Sequence, residues 1–483
     1  MNARIASALL ALAAIASTAS AQQQRVIDER IAKSMPNAYR AAECGIKPNH
    51  FKVSSGAAYL KTGIETEVPE NKTRALQSGQ KVLFESIEQN GQEKNPAAWY
   101  YLGRIYLQQG DLYGADSALT RAAGLAPQCA EEISNYRKNA WVALVKAGSK
   151  FEDEKNSDSA LAVYREAGTI YRDSPITYYQ IAAIMNEKGE ADSAAAYFGR
   201  AADAGVNSKD TTEIKVRNRS AFNQGAILLN SKNYSGAAAA FERYLKWAPD
   251  DNEAKRGLAA AYRGQGQNEK AQALEKDLVN AAGAGGAAGA PGGAPGTQDL
   301  MGAGVNLYND KKYVEAAAAF EKAAAAEPNN RDALSNLSNT YLALKDGPKL
   351  LASATKLVAI EPMSENALKL QGEGYKQSGK VDAAITTAEK VLALPVDVRV
   401  TEFSPNAGGA ALAATATGRA AQTPSGKPIA AAPVGLVFEF LDGKGGVVAT
   451  QETQVPALAA GTTQDIKLTA QGAGIAAWRY KRK

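Results

Sequence analysis

The 483-residue sequence has one histidine, two cysteines and four tryptophans, and its aromatic residues together make up 7%. A Ser-His-Asp or Cys-His apparatus would have to use His50, and no nucleophile motif accompanies it. Cys44-x5-His50 could supply two metal ligands where a structural zinc site needs four, so His50 reads as a solvated loop residue. No GxxxxGK[ST] run occurs, and the glycine-rich stretch at 281–296 lacks the Lys-Ser/Thr ending of a phosphate cradle, so no cofactor is expected. Charge of one sign is also scarce: 55 Lys+Arg against 50 Asp+Glu leaves a formal +5, no footprint for nucleic acid. Glu131-Glu132 and Glu152-Asp153-Glu154 read as solvated faces, and Arg479–Lys483 as a solvated basic end. The expectation is a protein that is not an enzyme.

The one long apolar run is at the start. Arg4 gives a short basic end, Ile5 to Ala16 an apolar run, and Ala19-Ser20-Ala21 a small-residue cleavage site. Residues 1–21 therefore read as a secretory signal peptide, and the run is too short to span a bilayer. No Cys follows the site, so no lipid anchor is indicated. Without Arg4 the count is 54 Lys+Arg against 50 Asp+Glu, +4. No later stretch approaches about eighteen apolar residues, so no integral membrane segment is expected in the mature chain.

What is abundant is a spacing. Within Pro96–Pro127, take Trp99 as position 4 of a unit. Leu102, Gly103, Tyr106, Gly110, Ala115, Leu119, Ala122 and Pro127 then fall at positions 7, 8, 11, 15, 20, 24, 27 and 32. Trp99, Leu102 and Tyr106 share one face of a first helix, and Gly103 admits a close neighbour. Gly110-Asp111 breaks the helix and caps the next; Pro127 ends it. Such a hairpin cannot bury its apolar face alone and needs stacked copies. The spacing resembles the tetratricopeptide repeat, which implies an α-solenoid.

Copies follow. Gly148, Phe151, Ala160, Tyr164 and Ala167 repeat the markers at positions 8, 11, 20, 24 and 27, as do Ala182, Met185, Ala194, Phe198 and Ala201. Gly225, Phe241 and Pro249 mark the next, and Ala259, Tyr262, Gly266 and Ala271 another. Residues 281–296 are then only Gly, Ala and Pro, and the phase advances by 45 residues instead of 34, from Ala259 to Gly304. This is either a looped insertion or a split between two modules; the split is the favoured reading. Gly304 to Pro328, Leu337 to Pro362 and Gly372 to Ala384 carry three more copies, the middle one with Ser338 and Leu350 at the close-packed positions, a sign of looser packing.

After Pro395 the period changes to alternation, at 396–400, 435–440, 447–453 and 465–469. About seven short strands suggest an antiparallel sandwich. Phe438-Glu-Phe440-Leu441-Asp442 with Leu458-Ala-Ala-Gly461-Thr-Thr is similar to bacterial FxLYD-type domains, which implies a binding or spacer role in the envelope. The expected fold is mainly α: a signal peptide (1–21), an N-terminal helical cap (22–95) with a helical look from Arg25 to Cys44, a first repeat module (96–280), a linker (281–296), a second module (297–395) and an all-β sandwich (396–483).

The resemblance implies an exported scaffold that binds protein or peptide partners in its groove, in the periplasm or peripheral to the envelope. The alternative is a carbohydrate- or cell-wall-binding protein acting through the β-domain. In the repeat family, positions 2, 5, 9 and 12 of each first helix face the groove. They give Tyr100, Arg104, Tyr179, Arg219, Phe222, Arg256 and Arg263 as candidates, aromatics flanked by arginines that suit apolar anchors and an acidic group. The second module's Glu365, Lys369, Glu373 and Lys376 mix signs and look less like a site. Cys44 and Cys129 are a candidate disulfide between cap and first repeat; two free, buried cysteines are the alternative. Mass spectrometry of the protein from its native host should find Gln22 at the N-terminus. An intact Met1 on soluble protein would overturn the export expectation.

Overall fold

The structure is a computed structural model that describes residues 35, 37–281 and 296–483. The signal segment, residues 22–34 and nearly all of the Gly/Ala/Pro run lie outside the described residues. The chain divides into two compact units that meet at Trp247 and Ala248.

Among the described residues the first unit holds five helical hairpins. These are α1 (Phe51–Glu65) with α2 (Pro69–Gln89), α3 (Pro96–Gln109) with α4 (Leu112–Leu125), and α5 (Ala130–Asp153) with α6 (Ser157–Ile170). Then come α7 (Pro175–Glu187) with α8 (Ala191–Ala204), and α9 (Thr211–Asn230) with α10 (Tyr234–Leu245). The second unit holds four: α11 (Asn252–Gly264) with α12 (Asn268–Ala281), α13 (Thr297–Asn309) with α14 (Tyr313–Ala326), α15 (Arg331–Leu344) with α16 (Gly347–Ile360), and α17 (Glu365–Gln377) with α18 (Val381–Ala393).

Each repeat is set by two backbone demands. The turn inside the hairpin needs a left-handed residue at position 15. Glycine supplies it at Gly110, Gly189, Gly266 and Gly379, and lysine at Lys155, Lys232, Lys311 and Lys345, with φ between 56° and 84° throughout. Capping follows at once, as where the Asp111 carboxylate accepts from Gly114 N at 2.8 Å. The second demand is a gap at position 8 for the large side chain at position 24. A Cβ on Gly103 would lie 2.6 Å from Leu119 Cγ, and one on Gly304 would lie 2.6 Å from Phe320 Cε1.

Three repeats depart from this packing rule: Ala354 and Ala388 stand at position 24 opposite Ser338 and Gly372, and the third case is charged. Opposite Ala259, position 24 is Glu275, whose side chain is 2% exposed. A buried carboxylate needs a partner, and Arg263 provides a bidentate one, Nε to Oε1 at 2.9 Å and Nη2 to Oε2 at 2.6 Å. The same Nη2 donates to Asp310 Oδ2 at 2.6 Å, and Asn306 Nδ2 donates to Glu275 Oε1 at 2.8 Å. These bonds tie α11 and α12 to α13 across residues 282–295. Lys322 Nζ adds a bond from α14 to the Val279 carbonyl at 2.7 Å. The boundary expected at 281–296 therefore differs from the one observed: the hairpin before the Gly/Ala/Pro run packs with the hairpins after it, held by this network. The copy read as looser is also filled, because the Ser338 hydroxyl donates to Leu334 O at 2.8 Å and meets Ser353 Oγ at 2.9 Å above a fully buried Leu350.

The C-terminal part has six strands among the described residues, one fewer than expected. They are β1 (Val396–Asn406), β2 (Gly409–Gly418), β3 (Val434–Asp442), β4 (Val447–Val455), β5 (Thr463–Gln471) and β6 (Ile475–Arg482). They form two antiparallel three-stranded sheets, β1-β2-β5 and β4-β3-β6. This part shares one hydrophobic core with the repeats, running from Leu357 and Ile360 through Met363 to Val398, Phe438 and Tyr480. Val398 N donates to Met363 O at 3.1 Å, and Tyr480 OH donates to Val398 O at 3.2 Å.

Replacing Arg263 by methionine leaves the Glu275 carboxylate buried without its cation, an expected loss of about 3–5 kcal/mol in the second unit's urea transition. Arg263→Met/Glu275→Leu should recover most of it, since the other repeats hold apolar side chains at position 24. The Arg263 guanidinium also holds the Asp310 carboxyl below the usual carboxylate range. That contribution is present above the unfolded pKa near about 4 and is lost as pH falls through the lower folded value, so wild-type stability should drop there. An Arg263→Met melt matching wild type would reject the role given to the network.

Candidate peptide-binding site

The first-helix face of α3 carries Ala97, Tyr100, Arg104 and Leu107 at positions 2, 5, 9 and 12, and all four are buried. What covers them is the chain itself. Residues 37–50, read from sequence as partly helical, form no helix here and lie against this face. Tyr39, Ala42 and Cys44 pack on the core that contains α3, with Met35 and Ile46 buried in it.

The contacts to this strap run through its main chain. Arg104 Nη1 donates to Arg40 O at 2.8 Å. Glu132 Oε2, on α5, accepts from both Glu43 N and Cys44 N at 3.0 Å. Glu132 Oε1 accepts from the Tyr100 hydroxyl, and Arg104 Nη1 lies 3.2 Å from that same hydroxyl. The guanidinium is 4% exposed as a residue and has the rings of Tyr39, Tyr100 and Tyr136 at 5.4, 5.3 and 4.6 Å. Three π faces and a carboxylate one hydroxyl away compensate its burial. Burial raises the Tyr100 hydroxyl far above its ordinary pKa and pushes Tyr101 up to about 12, so both stay protonated. Cys44 and Cys129 are joined in a disulfide, Cα–Cα 5.0 Å, which fixes the strap to the start of α5.

Further along the first unit the face is open. Tyr179 on α7 and Phe222 on α9, both at position 5, are half-buried, with Val145 at position 5 of α5. Tyr179 meets the edge of Phe198 at 5.5 Å, and Phe222 meets Phe241 and Tyr244 at 5.8 and 5.6 Å, which holds both rings. Arg219 is exposed, and its guanidinium lies 5.6 Å from the Tyr179 ring centroid.

Arg256 and Arg263 belong to the second unit and are spent there. Arg256 Nε pairs with Asp299 Oδ1 at 2.5 Å, and Arg263 is held by Glu275 and Asp310. Of the seven candidates, then, Tyr100 and Arg104 hold the strap, Tyr179, Arg219 and Phe222 form an open patch, and two are structural. Glu365 pairs with Lys369 at 2.7 Å and Glu373 with Lys376 at 3.4 Å, so these residues neutralise one another. The sequence reading missed Glu132 and Tyr39. In sequence Glu131-Glu132 reads as a solvated face; the signal against that is the place of Glu132 three residues after Cys129. Glu152 likewise accepts from the Tyr164 hydroxyl and from Gln180 Nε2.

A cleft of about 350 Å³ lies between the α14–α15 connection and the β-sheets, next to Phe403 and Trp478. Its polar groups are engaged locally: Arg331 with Asp332 and Glu361, and Asp442 with the Lys444 and Gly446 amides at 2.8 Å. Among the described residues no group of three or more His, Cys, Asp or Glu could hold a metal ion. No helix among them is long and apolar enough to cross a membrane.

Residues 96–129 and 219–251, the hairpins that carry Tyr100 and Phe222, match the tetratricopeptide-repeat family model. The chain carries tetratricopeptide repeats. Among solved structures it is similar to MamA from Desulfovibrio magneticus RS-1, at 19% identity over 38% of this chain and 92% of that one, with a TM-score of 0.29. It is also similar to the TPR2AB domain of yeast Sti1, solved as a pHSP90 complex, at 15% identity over 52% and 89%, with a TM-score of 0.25. No curated protein sequence matches. Repeats of this kind support a protein–protein interaction scaffold.

Tyr100→Phe removes the hydroxyl that links Arg104 to Glu132 and leaves both without that partner. The expected cost is about 1–3 kcal/mol in the first unit's urea transition under oxidising conditions. An unchanged transition would show that the link contributes nothing.

Proposed function

We propose that this chain is exported and works in the bacterial cell envelope, as a scaffold whose first unit holds an extended partner peptide across α7 and α9. The observation that carries the reading is the uncovered patch of Tyr179, Arg219 and Phe222 on the same first-helix face that already holds a non-helical segment at α3. Two ring anchors fixed by their neighbours lose little freedom on binding. An exposed guanidinium beside them suits an acidic side chain or a terminal carboxylate on the partner. Export is supported by the basic, apolar and small-residue order of residues 1–21. It is also supported by the Cys44–Cys129 bond, of a kind that persists in oxidising compartments.

A photoreactive amino acid at position 222 in the native host tests this. It should trap a discrete partner protein that the same probe at Ser235 on α10 does not trap. Tyr179→Ala should weaken capture of that partner by about tenfold or more, as loss of an anchor does, in protein that still melts cooperatively. No adduct at 222, or an adduct indifferent to Tyr179→Ala, would remove the site from this face.

A further inference from the structure

We infer that the α3 face is itself a peptide site, occupied in cis by residues 37–50, and that the Cys44–Cys129 disulfide is the latch that keeps it occupied. The inference rests on the reading of these repeats as peptide-binding, but on different helices from the patch at Tyr179 and Phe222. Its basis is the way the strap is held. The side chains of α3 and α5 take one carbonyl, Arg40 O, and two successive amides, Glu43 N and Cys44 N. Groups of this kind exist on any polypeptide, and the two successive amides reach one carboxylate oxygen because the chain bends at 43–45, where Gly45 has φ 84°, so the site reads main chain in a bent conformation and needs few particular side chains. The strap's specific contributions are Tyr39 against Arg104 and Tyr101 and the buried Ile46, while Arg40, Ala41, Glu43, Gly45 and Lys47 are exposed.

These contacts define the occupant by its chemistry. It is a non-helical segment with an aromatic residue, a main-chain carbonyl on the next residue, two free N–H groups four and five residues after the aromatic, and a glycine after them that lets the chain bend. Proline at either of the two N–H positions removes a donor. The strap satisfies the pattern and is tethered directly to α1 through His50 and Phe51, so it competes at a high effective concentration, about millimolar for a short flexible tether. The disulfide adds a second tether at Cys44, within the contact itself. A dithiol reductant would open it by attack on the half-buried Cys44 sulfur, Cys129 being fully buried. Two electrons and two protons pass to the protein as the S–S bond becomes two thiols, and the dithiol becomes a disulfide.

Two measurements on the full chain test this. Hydrogen exchange at the Glu43 and Cys44 amides should be slow in the oxidised protein and at least about tenfold faster after dithiothreitol, while α7 and α9 stay protected. A Tyr39→Ala/Cys44→Ser/Cys129→Ser variant, with Arg104, Tyr100 and Glu132 intact, should capture a labelled synthetic peptide of residues 37–50 bearing serine in place of Cys44. Oxidised wild type should not. Capture should fall at least about tenfold when Arg104→Ala is added, or when the peptide carries proline in place of Glu43. Strap amides equally slow before and after reduction would overturn the inference, as would a folded triple variant that captures no peptide. If the triple variant does not fold, the exchange experiment on wild type decides alone. Neither result depends on the cross-link at position 222.

Discussion

The contact on which the repeat hairpins depend is the approach of a second helix to its own first helix at position 8. In five repeats a glycine or alanine there leaves a gap, and a leucine, tyrosine or phenylalanine at position 24 fills it, as Leu119 does at Gly103 and Phe320 at Gly304. The left-handed turn at position 15 brings the two helices together in the register that contact needs. Because each filled hairpin still has an apolar side, the next must stack on it, and an array follows from one local fit.

Where the fit is altered, polar chemistry replaces it. Ser338 and Ser353 bond to each other inside one hairpin. At Glu275 the substitution is larger, a carboxylate in a place made for an aromatic ring, and it survives because Arg263 and Asn306 donate to it while Asp310 holds the Arg263 guanidinium. That network also explains how the hairpin before the Gly/Ala/Pro run stays joined to those after it. Arg263 pairs the charge within its own hairpin, and the bonds from Asn306 and to Asp310 complete the network with α13, so it specifies a neighbour as an apolar side chain would not.

The first unit uses one face in two ways. At α3 that face binds the chain's own strap through main-chain groups and a disulfide; at α7 and α9 it presents fixed rings beside an exposed guanidinium. Arg104 and Arg219 occupy equivalent faces and differ in burial, because one is covered by Tyr39, Tyr100 and Tyr136 and the other lies over a single ring. The β-sheets, sharing a core with α16 and α17, are a continuation of the second unit.

The sequence by itself determined the repeat, its phase and most helix ends, because glycine at position 8, the turn at position 15 and the caps are local demands written in single residues. It also determined the change to strands after Pro395, which is a change of period. Lysine at position 15 in four hairpins was not legible as a left-handed turn, since lysine carries no such preference. Only the tertiary structure decided which candidate side chains are open. Tyr179 and Arg263 look alike as first-helix positions, yet burial and pairing depend on residues far away in sequence: Glu275 and Asp310 for Arg263, residues 37–50 for Tyr100 and Arg104. A helix pattern records which face a residue is on; what lies against that face is set by the rest of the chain.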